Sequence, residues 1–419
     1  MTAVETVAKA LLRDRISAEG LVCHSQLPMV AVVDSERPAV HIWHCGGGTL
    51  RELGVVGPES RAGGKALFHE RMDRTPALAW HPEQPFLLIA GETGVVRWSA
   101  DGLADDDALP STACYRSIAF SPDGQTVWAH PSSRGGDDGW RSSDVVDLAT
   151  GSVSAGWQWD TGVAAHPAGG LVVTLQSDQG ATLGLFARID REITPTPMRL
   201  LRRALILEGD GYQAPVFSVD GRHLAIRGNA YENLLEVFEF PTLRRVLRTT
   251  LGDPNPGYPY SSEWLEQYRA WSRQNAAFGA EPGVLWLGTP SGTVLEIGVD
   301  DQRVVEHDVL GDSPVTGLCA LSSGDLVVAG GAGELALVSV RTDAASATPD
   351  RGAMRDAVTA FVDAVSEVPD DDALWDQLVM TDGTREWAPN DLATPFTATT
   401  TSPAWRQLQA VLNTRRHDA

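Results

Sequence analysis

Along this chain a short apolar run repeatedly meets a Pro, Gly or Ser turn and is answered by a second apolar run. The phrase reads LVCHSQLP around Cys23, LAWHPEQP around Trp80, IAFSPDGQ around Phe120 and VAAHPAGG around Ala165. It returns as PVFSVDGR around Phe217, AAFGAEPG around Phe278 and GLCALSSG around Cys319. Runs of this length, bounded by turn residues, predict paired strands. Ser121-Pro122-Asp123-Gly124 places Pro second and Gly fourth, the chemistry of a type I turn. Asp220-Gly221 predicts the same kind of connection in the fifth repeat. The third run of several repeats ends on a bulky residue, Trp43, Trp98 or Phe238, suited to filling space between neighbouring sheets.

The steps between these anchors are 57, 40, 45, 52, 61 and 41 residues. A repeat of about 40 residues built from short strands and turns predicts a β-propeller. The expected fold is therefore all-β: a seven-bladed β-propeller over 15–342 with a short N-terminal helix and a C-terminal helical tail. Val4, Val7, Ala8 and Leu11 fall at helical spacing and predict that helix over 1–14. Only three strands are legible in the last repeat, and a fourth is needed to cover its edge. Arg15–Ala18 is the expected donor, with Phe396–Thr401 as the alternative.

After Thr342 the repeat stops, and TDAASATPD reads as a linker. Within the tail, 343–419, Met354, Val358, Phe361, Val362 and Val365 predict a helix that Asp370–Asp372 ends or interrupts, and Leu374–Val379 a shorter one. Ser402 and Pro403 suit the cap and first residue of a last helix bearing Trp405, Leu408 and Leu412 on one face. Helices this short should dock on the propeller or on a partner. The tail as a separate module is the other possibility.

Several of these phrases resemble WD40 repeats. AVHIWHC and GVVRWSADG are similar to the third strand of such repeats, IAFSPDGQTVWAH and PVFSVDGRHLAI to the phrase joining the first two strands, and SDVVDLATG to a repeat end. The likeness covers roughly 20–342. The Trp-Asp pair is missing, since His44 follows Trp43 and Ser99 follows Trp98, and so is the Gly-His pair before the first strand. The resemblance is thus to a divergent WD40-like propeller, and it implies a scaffold for protein–protein interaction.

Charge narrows the partners. With 33 basic and 55 acidic residues the net charge is −22, which argues against neutralising phosphates of nucleic acid or an anionic membrane surface. Lys9 and Lys65 are the only lysines; with abundant Arg, Ala, Gly and Asp, the composition resembles that of high-GC bacterial proteins such as those of actinomycetes. The start, MTAVETVAKALLRDR, lacks the continuous apolar run of a secretory signal, so a cytoplasmic, reducing setting is expected. There Cys23 and Cys319, at equivalent repeat positions, read as small core hydrophobes.

Two segments stand out as binding candidates. The first is the insertion 252–274, predicted to be helical, with Tyr258 and Tyr260 ahead of Trp264, Tyr268 and Trp271 at i, i+4, i+7. A dense aromatic set on a connection has hot-spot composition, although aromatic stripes at helical spacing more often pack inward. The second is PSSRGGDDGWRSSD, a Gly-rich loop offering Arg134, Trp140 and Arg141 beside Asp137 and Asp138. His41 and His44 lie three apart on a strand and point to opposite faces, so they read as structural rather than metal-binding.

The sequence carries no G-x-S-x-G, no P-loop and no G-x-G-x-x-G after a strand. No catalytic residue, metal or cofactor is assigned, and the expectation is a non-catalytic protein-binding scaffold. The alternative is a propeller enzyme, lactonase-like or quinoprotein-like, with a site built from single residues near the axis.

Overall fold

A computed structural model describes residues 2–57, 75–91, 94–106, 108–110, 113–134, 136–178, 181–190, 192–209, 211–229, 232–342, 349–369, 377–388 and 397–417. Strand β1 (Thr2–Leu11) opens the chain. Blade one is β2 (Ala18–Cys23), β3 (Met29–Asp34), β4 (Val40–His44) and β5 (Arg51–Val56). Blade two is β6 (Ala77–Trp80), β7 (Phe86–Gly91), β8 (Gly94–Ser99) and β9 (Gly102–Asp105). Blade three is β10 (Ser117–Phe120), β11 (Thr126–His130), β12 (Ser142–Asp147) and β13 (Val153–Trp157). Blade four is β14 (Thr161–Ala165), β15 (Leu171–Asp178), β16 (Ala181–Ile189) and β17 (Met198–Glu208). Blade five is β18 (Val216–Phe217), β19 (His223–Gly228), β20 (Leu234–Glu239) and β21 (Arg245–Thr250). Helix α1 (Ser262–Trp271) follows it. Blade six is β22 (Ala276–Phe278), β23 (Val284–Gly288), β24 (Thr293–Gly298) and β25 (Val304–Asp308). Blade seven is β26 (Val315–Ala320), β27 (Leu326–Gly330) and β28 (Glu334–Thr342), completed by β1.

These seven four-stranded antiparallel blades are the strand arrangement of a seven-bladed β-propeller, and all seven predicted turns fall between first and second strands. Second strands such as MVAVVD, TVWAH and LVVAG are buried along their whole length, so they read as continuous apolar runs. Outer strands such as β25 alternate exposed and half-buried residues.

The residues form two compact units. The first spans Met1–Gln158, Arg191–Thr196 and Ser261–Pro349 and holds blades one, two, three, six and seven. Its apolar clusters lie in the seams between consecutive blades. Trp43 shares a cluster with Val327 and Leu337 between blades seven and one, and Trp80 shares one with Ile42 and Trp98 between blades one and two. Trp286 and Val328 join blades six and seven. Each such side chain contributes about 1.5–3 kcal/mol by leaving water.

The N-terminal segment corrects the sequence expectation. Residues 2–11 form a strand, not part of a helix over 1–14, and β1 pairs antiparallel with β28 from Thr2↔Thr342 to Leu11↔Glu334. Thr2, Val4, Thr6, Ala8 and Ala10 are half-buried, while Ala3, Glu5, Lys9 and Leu11 are exposed. The period is two, interrupted by a register shift between Thr6 and Ala8. The open edge of β28 offers a ladder of backbone partners that outweighs the helical preference of this segment. Arg15–Ala18 does not close the blade, because Arg13–Arg15 form a turn and Ala18 begins β2. Of the alternative, Phe396 lies outside the described residues and 397–401 carry no strand.

The turns between first and second strands use two chemical solutions. His24 Nδ1 accepts from the backbone N–H groups of Gln26 (3.0 Å) and Leu27 (3.1 Å), and Nε2 reaches the Gln84 carbonyl of blade two (3.0 Å). His81 accepts from Glu83 and Gln84 in the same way (3.1 and 2.9 Å) and meets the Gly124 backbone of blade three. In the second unit His166 accepts from Ala168 (3.2 Å) and reaches the Gly221 carbonyl (3.2 Å). An accepting Nδ1 assigns the proton to Nε2, so all three rings are neutral donors to the next blade. The other solution is Ser-x-Asp. Ser121 and Ser218 donate to Asp123 (2.5 Å) and Asp220 (2.6 Å) and accept from the N–H groups of Thr126 and His223. Gly124 (φ +74°) and Gly221 (φ +67°) must be glycine twice over. Their backbones are left-handed, and a Cβ would lie 2.2 and 2.4 Å from the His81 and His166 Nε2 atoms.

The second unit spans Trp159–Asp190, Pro197–Tyr260 and Asp350–Ala419. Helix α2 (Arg351–Asp363) is capped by Asp350, which accepts from Gly352 and Ala353. It buries Met354, Val358 and Phe361, and the Phe361 ring lies 5.1 Å from both Phe186 and Phe240. Asp370–Asp372 and 374–376 lie outside the described residues. Val379 is not helical but begins β29 (Val379–Thr381), which pairs parallel with β17 and antiparallel with β30 (Glu386–Trp387), extending blade four to six strands. The outer edge of β17 again supplies what a short helix lacks, a set of ready backbone partners. In α3 (Ala404–His417) Trp405 is buried edge-on to Trp387 at 5.4 Å, whereas Leu408 stays 37% exposed.

Cys23 and Cys319 also correct the sequence expectation. They are joined in a disulfide with Cα atoms 6.3 Å apart, because equivalent positions on β2 and β26 face each other across the seam of blades seven and one. No helix among the described residues is long and apolar enough to cross a membrane.

Candidate functional site

The loop between β11 and β12 is built on a buried carboxylate. Asp144, fully buried on β12, accepts from Tyr115 Oη (2.8 Å), Ser132 Oγ (2.7 Å), Ser133 Oγ (2.5 Å) and the Ser133 N–H (2.9 Å). Burial alone would raise its pKa; the hydrogen bonds from Ser133, Ser132 and Tyr115 outweigh burial and hold it below the usual carboxylate value. Burial, with the neighbouring carboxylate, pushes the Tyr115 phenol well up, so it stays a donor. The Ser132 N–H is shared between the carbonyls of Gly139 and Ser142, both at 3.0 Å. A Cβ on Gly139 would sit 2.6 Å from the Ser132 oxygen, so this close approach requires glycine.

That base holds a 3₁₀ turn, Gly136–Arg141, with Trp140 at the surface. Trp140 is 43% exposed. Its carbonyl accepts from His130 Nε2 (3.2 Å), the His130 ring lies edge-on at 5.4 Å, and the Arg116 guanidinium sits 4.4 Å from the indole centroid. Arg134 is half exposed, 4.0 Å from Asp144, and Arg141 is exposed. Arg116 thus sits against an exposed indole on blade three of a strongly acidic chain, with Arg134 and Arg141 on the same connection. Exposed indole and guanidinium groups are chemically suited to cation–π and bidentate contacts. The Asp144 oxygens are committed to hydroxyl and backbone donors.

The predicted aromatic insertion is divided. In the first unit only Ser262–Trp271 of 252–274 is helical, and Ser261 Oγ caps it by accepting from the Trp264 N–H (3.1 Å). Trp264 is 9% exposed and stacks on Tyr268 at 5.1 Å; Tyr268 and Trp271 are half-buried. This face therefore packs more than it presents. Just beyond the helix, Arg273 pairs with Glu19 of blade one (3.6 Å) and Gln274 bridges to Gly317 of blade seven. Replacing Ser261 with Ala should cost about 1 kcal/mol of helix stability. Faster amide exchange confined to α1 is the expected readout, and unchanged exchange would contradict the cap.

In the second unit the preceding loop faces solvent. Glu232 accepts from Thr250 Oγ1 (3.2 Å) and the Asn255 N–H (3.1 Å), and Asn255 Oδ1 accepts from the Gly257 N–H (2.9 Å). The turn so formed carries Tyr258, 89% exposed, edge-on to Tyr260, 38% exposed, at 6.0 Å.

Sequence reasoning named Trp140, Arg134 and Arg141 but missed Arg116, Tyr115, His130 and Asp144. Ser132-Ser133 and Asp144 were visible as polar residues flanking the loop, whereas Arg116 is joined to Trp140 only by the pairing of β10 with β11. Of the two histidines read as structural, His41 is buried and its Nδ1 meets Glu52 at 3.0 Å; His44 is half-buried. Among the described residues no group of three His, Cys, Asp or Glu side chains could hold a metal ion. No protein-family model matches the chain, and no curated protein matches its sequence.

Proposed function

We propose that this chain is a non-catalytic, WD40-like propeller scaffold that binds another protein, working in the cytoplasm of a bacterium. The observation that carries the reading is Trp140. An exposed indole is clamped between Arg116 and His130 on a loop pinned by a buried carboxylate. Trp and Arg dominate binding energy at interfaces, and a pre-organised loop loses little entropy on docking. Tyr258 on its Asn255 turn is a second, independent surface of the same kind. The WD40-like part of the reading rests on the Ser-Pro-Asp-Gly turn and on the Trp43, Trp98 and Phe238 positions. The bacterial origin rests on composition alone.

The test is affinity purification of the tagged chain from its own host, beside Trp140→Ala and Tyr258→Ala variants. One or two stoichiometric proteins should come with the wild type. A hot-spot loss of about 2 kcal/mol would weaken their capture by roughly thirtyfold in the variant of the true surface. Partners held equally by both variants would remove both loops as sites. A purified chain carrying metal or a coloured cofactor would favour the enzyme reading.

A further inference from the structure

The two cysteines in the seam of blades seven and one stand where the first and last repeats of the chain meet. Cys23 ends β2 and Cys319 lies on β26, 296 residues apart in sequence. Around them pack Leu21, Trp43, Leu321 and Val327, so the bridge sits at the rim of an apolar seam rather than on a loose loop. The same seam is joined without covalent bonds by β1, which pairs with β28 immediately before the chain enters blade one. One junction therefore has two closures, a strand and a disulfide.

We propose that Cys23 and Cys319 form a reversible redox latch on this seam, closed by a low-molecular-weight disulfide and opened by a dithiol reductant. Cys23 is half-buried and Cys319 is 9% exposed, so Cys23 is the accessible partner. Its thiolate attacks one sulfur of oxidised glutathione, giving a mixed disulfide and releasing one glutathione thiolate. The Cys319 thiolate then attacks the Cys23 sulfur and expels the second glutathione. Two protein thiols and one glutathione disulfide thus become one protein disulfide and two glutathione thiols. The neighbouring His24 is not the base, because Nδ1 accepts from Gln26 and Leu27 and Nε2 serves Gln84. Cys45 shares the apolar cluster, but burial pushes its thiol up to about 12, which keeps it protonated and out of the exchange.

Opening the latch leaves β1 and the apolar packing of the seam to hold blade one against blade seven. The chain keeps its fold but loses the constraint that a bridge over so long a segment places on the unfolded state. The proposal is independent of the scaffold reading, and purified protein suffices to test it. The full-length chain is equilibrated in glutathione buffers from fully reduced to fully oxidised, quenched in acid, alkylated after denaturation and mapped by peptide mass spectrometry. Cys23 and Cys319 should interconvert between alkylated and joined forms while Cys45 stays alkylated throughout. The melting temperature should be lower by about 5 °C in the reduced buffer. Cys319→Ser should melt at the reduced value in both buffers; if it does not fold, the wild type in the two buffers gives the same comparison. Failure of the pair to join under excess oxidised glutathione would overturn the proposal. So would a pair that stays joined in excess dithiothreitol under native conditions, or one whose joining leaves the melting temperature unchanged.

Discussion

Lowering the pH from 6.5 to 4 should destabilise the fold by roughly 3 kcal/mol through His166 alone. Burial lowers the pKa of this imidazole from 6.5 to about 4, opposed by the Gly221 carbonyl and Asp220. An unfolded chain takes up the proton near 6.5, and the folded chain refuses it until about 4. Between those values the unfolded state binds more protons. The contribution is therefore complete above pH 6.5, falls as the pH drops towards 4, and is gone below it. The geometry gives the reason. Protonated Nδ1 can no longer accept from the Ala168 N–H, and the turn loses its pin. Burial also lowers His24 and His81, which occupy the same turn in blades one and two, so they add in the same direction. Asp34, Asp144 and Asp382 are held below 3.8, under this window, whereas Glu236 is raised by burial and gains stability as the pH falls. A paired variant isolates the histidine from these groups. His166→Ser with Ala168→Asp installs the Ser-x-Asp turn that Ser218 and Asp220 already use. Urea midpoints at pH 7.5, 5.5 and 4.5 should fall steeply for the wild type and less steeply for the variant. Parallel slopes would show that the His166 turn does not titrate in this range.

How far the sequence foretold the molecule depends on the distance over which each feature is decided. The repeats were legible because most of their strands, and all seven turns between first and second strands, are specified within a few residues. Apolar runs such as LVVAG are buried on both faces, and Gly124 and Gly221 stand where only glycine fits. The N-terminal strand was not legible. Val4, Val7, Ala8 and Leu11 satisfy helical spacing, and only the open edge of β28, more than three hundred residues away, makes residues 2–11 a strand. Val379 was misread for the same reason, since its partner is β17. The disulfide belongs to this class too. The equivalence of Cys23 and Cys319 within the repeat was visible, but their proximity depends on blade seven lying beside blade one. At the candidate binding loops, composition gave Trp140 and Tyr258. It could not separate Tyr258, which faces water, from Trp264, which is buried under Tyr268, because one aromatic spacing serves both packing and presentation.

Removing the Asp144 carboxylate should cost the fold about 3 kcal/mol as Asp144→Ala and about 2 kcal/mol as Asp144→Asn. The alanine leaves the hydroxyls of Tyr115, Ser132 and Ser133 unpaired around a small cavity. The asparagine keeps the volume but turns an N–H group towards a donor already aimed at the site, so one hydrogen bond becomes a repulsion. In both, the loop should detach from its base. Trp140 would leave Arg116 and His130, read as a change in its fluorescence and as new proteolytic cleavage within 131–141. Trp140→Ala should behave differently. An indole 43% exposed adds little to the core, so stability should move by less than about 1 kcal/mol while partner capture falls. The two variants together separate presentation from folding. If Asp144→Asn melts with the wild type and the loop resists protease as before, the buried carboxylate is not what holds Trp140 in place. If it loosens the loop and weakens the partner as much as Trp140→Ala does, binding depends on the pinned geometry, and the most buried charge of blade three acts through its most exposed aromatic residue.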